Sequence, residues 1–485
     1  MEINNILSPK AYTGLASFHK YWGKKPIESL SFIIEQLTKE GDIVADPFIG
    51  SGLIAKESLE LGRRFIGIDI NPFSIELTKL FLQLPSYDSY LHALQNMEKI
   101  IKPFIDESYR MYDERIGTHY LWENNKLVSV WTKNVKNSKE ILTPNSIDIS
   151  LAEKYSSYKP QRLRQMRFFT NSRINASPSI TLNDIFTGRA LRNIELILGY
   201  IEEQINPQVK RALFLTLTSA SGQMSNMVFA IKNRNKNNGK PSRSSNAIEV
   251  GSWVIGYWRP KFHFEINVWN CFENRAGKLL RILKNEGQSR KYFFSENSKD
   301  FWNENTPALL INNDSRTVLQ RTPPNSISLI CTDPPHSDRI PYLELSELWN
   351  SILGKETNFE NEIVVSNAKE REKSKREYNR DMEEFFRISE RCLVPNGYIA
   401  LFFNARDSES WEYIKVLEKS AKDLRYLGCF PMFYSATSVI QDNRKGGMKS
   451  DYILFFIKQG QRSCFSFNLF SKFPNWSYSL PERLE

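Results

Sequence analysis

The chain has 485 residues, 41% of them hydrophobic and 25% charged, with a net charge of +10. That length supports two to four domains with a sizeable core and excludes a peptide toxin or disulfide miniprotein. Five cysteines, Cys271, Cys331, Cys392, Cys429 and Cys464, are odd in number and widely spaced, which excludes zinc-type CxxC pairs and a disulfide framework and leaves reduced thiols, with no metal expected.

Met1 to Lys10 is polar and lacks the basic-then-apolar layout of a signal peptide. Asp42 to Ala45 predicts a short buried strand, Pro47 to Gly52 a loop, and Leu53 to Leu61 a helix stopped by Gly62. Arg64 to Ile70 follows as a second strand, so the segment reads as a βαβ unit of a parallel sheet. From Pro85 to Asn305 helical periodicity recurs at Arg189 to Ile205 and Gln208 to Ser219. The polar tract Lys232 to Asn246 carries five basic residues and no acidic one, which predicts a mobile loop in which Arg234, Lys236, Lys240 and Arg243 contact a polyanion. Residues 151–300 hold 24 Lys and Arg against 11 Asp and Glu, leaving the rest of the chain slightly acidic. Basicity confined to one block points to nucleic acid, whose phosphates bind cations irrespective of sequence. Aromatics interleaved there, such as Phe168, Phe169, Trp253 and Trp258, suit base stacking or simply the core of a domain.

Strand and helix alternate again from Leu309 to Asn312 and Ser326 to Thr332, through helices at Tyr342 to Leu353 and Ala368 to Cys392. Tyr398 to Phe403, a helix at Trp411 to Leu424, and a final strand at Asp451 to Lys458 complete the chain. The longest apolar runs, such as Tyr452 to Ile457, are far below the roughly 18 residues of a membrane span. A bacterial or archaeal cytoplasmic, nucleoid-associated protein with no membrane partner is expected. The simplest architecture is α/β, a doubly wound, mostly parallel sheet built from residues 1–84 and 306–485, with 85–305 inserted as a large, mainly helical, basic domain.

Two motifs carry chemistry. Asp46-Pro47-Phe48-Ile49-Gly50-Ser51-Gly52 lies where a strand ends and a helix begins, and Asp69 ends the next strand, where an acid accepts the hydroxyls of a ribose. Gly50, Gly52 and Ala55 also match a relaxed dinucleotide fingerprint, so a NAD-linked dehydrogenase competes. Against it, a carboxylate beside a pyrophosphate loop is electrostatically poor. The second motif is Asp333-Pro334-Pro335-His336, an acceptor delivered by an apolar strand, two prolines that stiffen the turn, and a flat ring.

Together these motifs resemble those of the S-adenosylmethionine-dependent DNA amino-methyltransferases, which methylate exocyclic nitrogens of adenine or cytosine. The resemblance implies a Rossmann-like methyltransferase sheet whose last strand, Asp451 to Lys458, is antiparallel. It implies S-adenosylmethionine as cofactor, gripped by Asp46, Pro47, Phe48, Gly50 and Gly52. Trp22, Gly23 and Lys24 cap its methionine end and Asp314 stands near its adenine. Asp333 and the Pro334 carbonyl accept the target amine, Pro335 stiffens the turn, and His336 stacks on a flipped base where the family has Tyr or Phe. Asp at the motif start favours adenine N6. Double-stranded DNA is the implied partner, with a cognate restriction endonuclease as a possible second. Cytosine-N4 or RNA base methylation and a catalytically silent DNA-binding protein remain as alternatives.

Overall fold

The computed structural model describes residues 12–232, 236–237, 240–241, 248–253, 256–286, 291–336, 340–404, 408–433, 450–460 and 476–479. Its principal sheet has eight strands: β1 (Ile43–Asp46), β2 (Arg64–Asp69), β3 (Phe294–Ser295), β4 (Ala308–Asn312), β5 (Ile327–Thr332), β6 (Leu393–Phe403), β7 (Leu424–Phe433) and β8 (Ser450–Lys458). They lie in the order β3-β4-β2-β1-β5-β6-β8-β7. The first six run parallel, whereas β8 is antiparallel to both β6 and β7. Buried on both faces, the central strands carry apolar runs, as in Ile-Val-Ala of β1 and Leu-Ile-Cys of β5.

β1 has β2 on one side and β5 on the other, with Val44 opposite both Phe65 and Leu329. The chain therefore leaves β1 in one direction and returns to its other flank far along the sequence, which opens a crevice at the carboxyl ends of these three strands. Asp46, Asp69 and Asp333 stand at those ends. Three helices wall the crevice: α1 (Ile27–Leu37), α2 (Leu53–Glu60) and α3 (Pro72–Leu82). α3 begins where Asn71 accepts from Phe73 N and Pro72 presets the first turn.

The middle of the chain supplies four long helices, α4 (Tyr87–Ser108), α5 (Gly188–Glu202), α6 (Pro207–Met224) and α7 (Val268–Glu286). It also holds an antiparallel six-stranded sheet that the sequence reading missed, with strands 139–142, 126–133, 119–123, 262–266, 228–231 and 249–253 in that order. "Mainly helical" thus describes only part of this segment. Its short strands were hidden because their apolar faces bear Trp, Tyr and Phe, residues equally at home in a helix-packed core. At its centre Arg189 and Glu265 form a fully buried bidentate pair, both contacts 2.9 Å, with the guanidinium between the rings of Tyr109 and Tyr120.

No boundary in the hydrophobic core separates this middle from the sheet. One continuous cluster runs from Val44, Phe65 and Leu329 through Phe73 and Leu80 of α3 to Leu213 and Leu217 of α6 and Phe264 and Phe272 beyond. A second cluster covers the opposite face of the sheet beneath α9 (Lys375–Cys392). Cys271, Cys331, Cys392 and Cys429 are buried and unpaired, and Cys464 lies outside the described residues. No described helix is long and apolar enough to cross a membrane.

Candidate active site

Both sequence motifs open onto one cleft. Asp46, Phe48, Gly50 and Asp69 line it on one side, Asp333 and Pro335 on the other, and Trp22 and Gly23 at its rim.

The loop after β1 turns through left-handed glycines, Gly50 at φ +50° and Gly52 at φ +78°. A Cβ on Gly52 would stand 2.5 Å from Thr78 Oγ1 and 3.1 Å from Thr78 Cα, so α2 can start against α3 only if this residue is glycine. Asp69 is aimed by two amides, Gly50 N at 2.8 Å and Asn71 N at 2.8 Å. Asn71 is itself tied to Ser346 and Asn350 of α8 (Tyr342–Ile352), which locks the two sides of the cleft together. Burial pushes Asp69 up to about 6, against the pull of those amides. Asp46, beneath the loop, accepts from Phe48 N at 3.1 Å and Thr332 Oγ1 at 2.6 Å. Burial, with lesser repulsion from Asp69 and Asp333, raises it to about 8.

Asp333 leaves the end of β5 between two nitrogen groups. Lys25 Nζ is 2.8 Å from its Oδ2, and His336 Nε2 is 2.9 Å from its Oδ1. The second approach is close but misaligned, leaving Oδ1 and both His336 ring nitrogens without a well-formed hydrogen bond among the described residues. Burial alone would raise the Asp333 carboxyl, but the charges of Lys25 and His336 outweigh it and hold the group below the usual carboxylate range. Gly23, at φ +72°, brings the backbone so near that a Cβ would meet Asp333 Oδ2 at 3.6 Å and the Tyr342 hydroxyl at 3.0 Å. Pro334 is buried, and the Pro335 carbonyl accepts from Tyr378 at 2.7 Å, which fixes the turn.

Four sequence expectations meet a different geometry. Lys24 does not face the cleft: its ammonium donates to the carbonyls of Ala16 and His19, and its neighbour Lys25 is the lysine inside. His336 is 8% exposed and edge-on to Phe403, so its ring face is not presented to the cleft. The rings lining the cleft are Tyr21, Trp22, Phe48 and Tyr342, with Tyr21 and Tyr342 stacked 6.1 Å apart. Asp314 caps the helix Ser315–Arg321 and binds Arg316 at 3.2 Å, off the cleft lining. Pro47 is buried and does not line the cleft. Arg234 and Arg243 lie outside the described residues. Lys236 and Lys240 belong to a two-residue antiparallel pairing whose side chains also lie outside them.

Lys25, Tyr342 and Glu362 were not anticipated. Glu362 reaches the cleft from the loop before α9, held by Arg371, which also binds Glu344 at 3.1 Å. With Asp69, Asp333 and Glu362 facing inward beside a protonated Asp46, and one lysine already against Asp333, the cleft suits a ligand bearing positive charge and hydroxyls. A pyrophosphate would meet repulsion there.

Comparison with known proteins agrees with this geometry. Residues 2–80 match the family model described as DNA methylase. The Type II methyltransferase M.MjaII of Methanocaldococcus jannaschii is 29% identical over 131 residues, 27% of this chain and 23% of that protein. M2.DpnII of Streptococcus pneumoniae is 38% identical over 68 residues, 13% of this chain and 25% of that protein. M2.LlaDCHI of Lactococcus lactis subsp. cremoris is 39% identical over 64 residues, 12% and 24% of the respective chains. The chain thus spans about a quarter of the length of the curated relatives it matches. Through the segment that carries the glycine loop and Asp69, this chain is similar to the DNA methylase family and to Type II methyltransferases.

Proposed function

We propose that the protein is a site-specific DNA methyltransferase that moves a methyl group from S-adenosylmethionine to the exocyclic N6 of adenine, as the modification arm of a restriction or phage-defence system. The observation that carries this reading is the meeting of the Asp46 to Gly52 loop, Asp69 and Asp333 in one acid-lined cleft. Residues 1–84 and 306–485 then make the Rossmann-like catalytic unit and 85–305 the DNA-recognising one, working in the cytoplasm on double-stranded DNA.

When bound, S-adenosylmethionine supplies an electrophilic methyl group on a sulfonium. Asp69 accepts its ribose hydroxyls, Asp46 and the glycine turn receive the positively charged end, and Lys25 is the cation nearest for its carboxylate. An exocyclic amine is a poor nucleophile because its lone pair is shared with the ring. Asp333, together with the Pro334 carbonyl, accepts its two N–H bonds and frees that lone pair for in-line attack. The amine must displace Lys25 or His336 from the carboxylate to do so. The proton shed on methylation has Asp333 as its nearest acceptor, with His336 Nε2 2.9 Å beyond. A base that reaches this depth has left its helical stack.

The test is single-molecule sequencing of DNA from cells expressing the protein, beside an Asp333→Ala control. Methyladenine at one sequence in the first sample only supports the reading. N4-methylcytosine there would move the target to cytosine, and unmodified DNA from both would leave a binding protein without this activity.

A further inference from the structure

The helix α7 carries Arg275, Lys278 and Arg281 at three-residue spacing, which aligns them along one face. That face lies against the turn Gly14–Ser17, where Lys278 Nζ donates to the Ser17 carbonyl at 2.5 Å and Glu286 Oε1 accepts from Leu15 N at 3.3 Å. Three residues past the turn, the exposed Lys20 holds its ammonium 4.1 Å over the ring of Trp253. The next residues are Tyr21, Trp22 and Gly23, which line the cleft. A row of cations therefore runs from α7 to the mouth of the cleft.

None of Lys20, Arg275, Lys278 and Arg281 is paired with a carboxylate among the described residues, although ion pairs are frequent elsewhere on the molecule. They crowd one another instead. Although the Lys20 side chain is exposed, desolvation of its ammonium over Trp253 and then Arg275 lower it to about 8, and burial followed by Arg275 and Arg281 lowers Lys278. Burial lowers Arg275 too. Solvated surface charges normally settle beside opposite ones; a crowded row without counter-charge is relieved when an anion lies along it.

We propose that Lys20, Arg275, Lys278 and Arg281 dock the phosphodiester backbone of the DNA strand that delivers its base to the cleft. This rests on the reading above that the substrate is DNA. The row's position selects nucleic acid over an acidic protein: it ends at the aromatic rim where a base must enter, and Trp253 under Lys20 adds the cation and ring mixture that suits a strand leaving its duplex.

Duplex binding is measured by fluorescence anisotropy across a salt series for the full chain, for Lys20→Gln/Arg281→Gln, whose side chains are exposed, and for the quadruple Gln variant. Each phosphate contact adds about 0.9 to the slope of log affinity against log salt. The expected loss is about two units of slope in the double variant and more in the quadruple one, with calorimetric affinity for S-adenosylmethionine unchanged. Wild-type slopes in both variants would overturn the docking site while leaving the methyltransferase reading intact. Unchanged DNA slopes with weakened binding of polyglutamate would hand the row to an acidic protein and also overturn it. A wild-type chain that binds no DNA would sink both proposals.

Discussion

At the scale of single residues, Asp333 works because of what stands beside it. Desolvation alone would raise its carboxyl, but Lys25 at 2.8 Å, together with His336, holds it below the usual carboxylate range. Lys25→Gln is therefore expected to move the acid limb of the kcat/KM pH profile upward, whereas Lys24→Gln leaves the limb in place. Asp333→Ala should abolish transfer and leave calorimetric binding of S-adenosylmethionine nearly intact. Asp46 behaves oppositely. Its folded value near 8 lies far above that of an unfolded chain, so the native state holds a proton that unfolding releases. Its contribution to stability is fully present at low pH and is lost as pH rises through about 8. Asp46→Asn should thus melt at a higher temperature than wild type at pH 9, with little difference at pH 5, while binding the cationic cofactor more weakly. Equal melting at both pH values would show that Asp46 is not held protonated.

The acids were legible in the sequence because each ends a strand and opens a turn, a local pattern. Lys25 was not, since two adjacent lysines are indistinguishable until the backbone turn at Gly23 sends one inward and the other onto the carbonyls of Ala16 and His19. Glu362 gave no signal, as it sits in a loop without a motif and reaches the cleft only because Arg371 draws it there. His336 was read as an open ring because its neighbour Phe403 is 67 residues away in sequence.

At the scale of elements, the start of α2 depends on one missing methyl group. Gly52→Ala adds a Cβ at a left-handed residue and drives it into Thr78. A loss of about 1 to 3 kcal/mol in urea unfolding is expected, together with weaker cofactor binding. The strand at 262–266 depends on the Arg189–Glu265 pair. Glu265→Gln leaves a buried guanidinium without its counter-charge and should cost about 3 to 5 kcal/mol by the same measurement, part of it recovered when Arg189→Met is added. The parallel strands other than β3 were readable in the sequence, as were α2, α5, α6 and α8, whereas α1, α3, α4 and α7 were not. β7 was missed because its Gly428 and Pro431 interrupt a strand at the end of the sheet order that ladders onto β8.

At the scale of the whole molecule, the charge surplus of residues 151–300 was visible from composition, but where it acts was not. The row on α7 gathers its meaning from Lys20, more than 250 residues earlier, and only folding brings the two together. The continuous core also predicts that the sheet and the middle segment unfold together. Thermal melts followed by near-ultraviolet circular dichroism and by tryptophan emission should coincide, and two separate transitions would show that the halves are independent.

On the proposed function, that shared core also bears on how the target sequence changes over time. Where recognition sits on a detachable module, lineages can trade modules whole and acquire a new specificity in one recombination event. Here α3 of the catalytic sheet and α6 of the middle segment are buried in a single hydrophobic cluster, so a borrowed segment would arrive with a mismatched apolar face. A chimera spliced at residues 85 and 305 inherits that mismatch with its first generation, and new specificity is left to accumulate by substitution along the exposed rim.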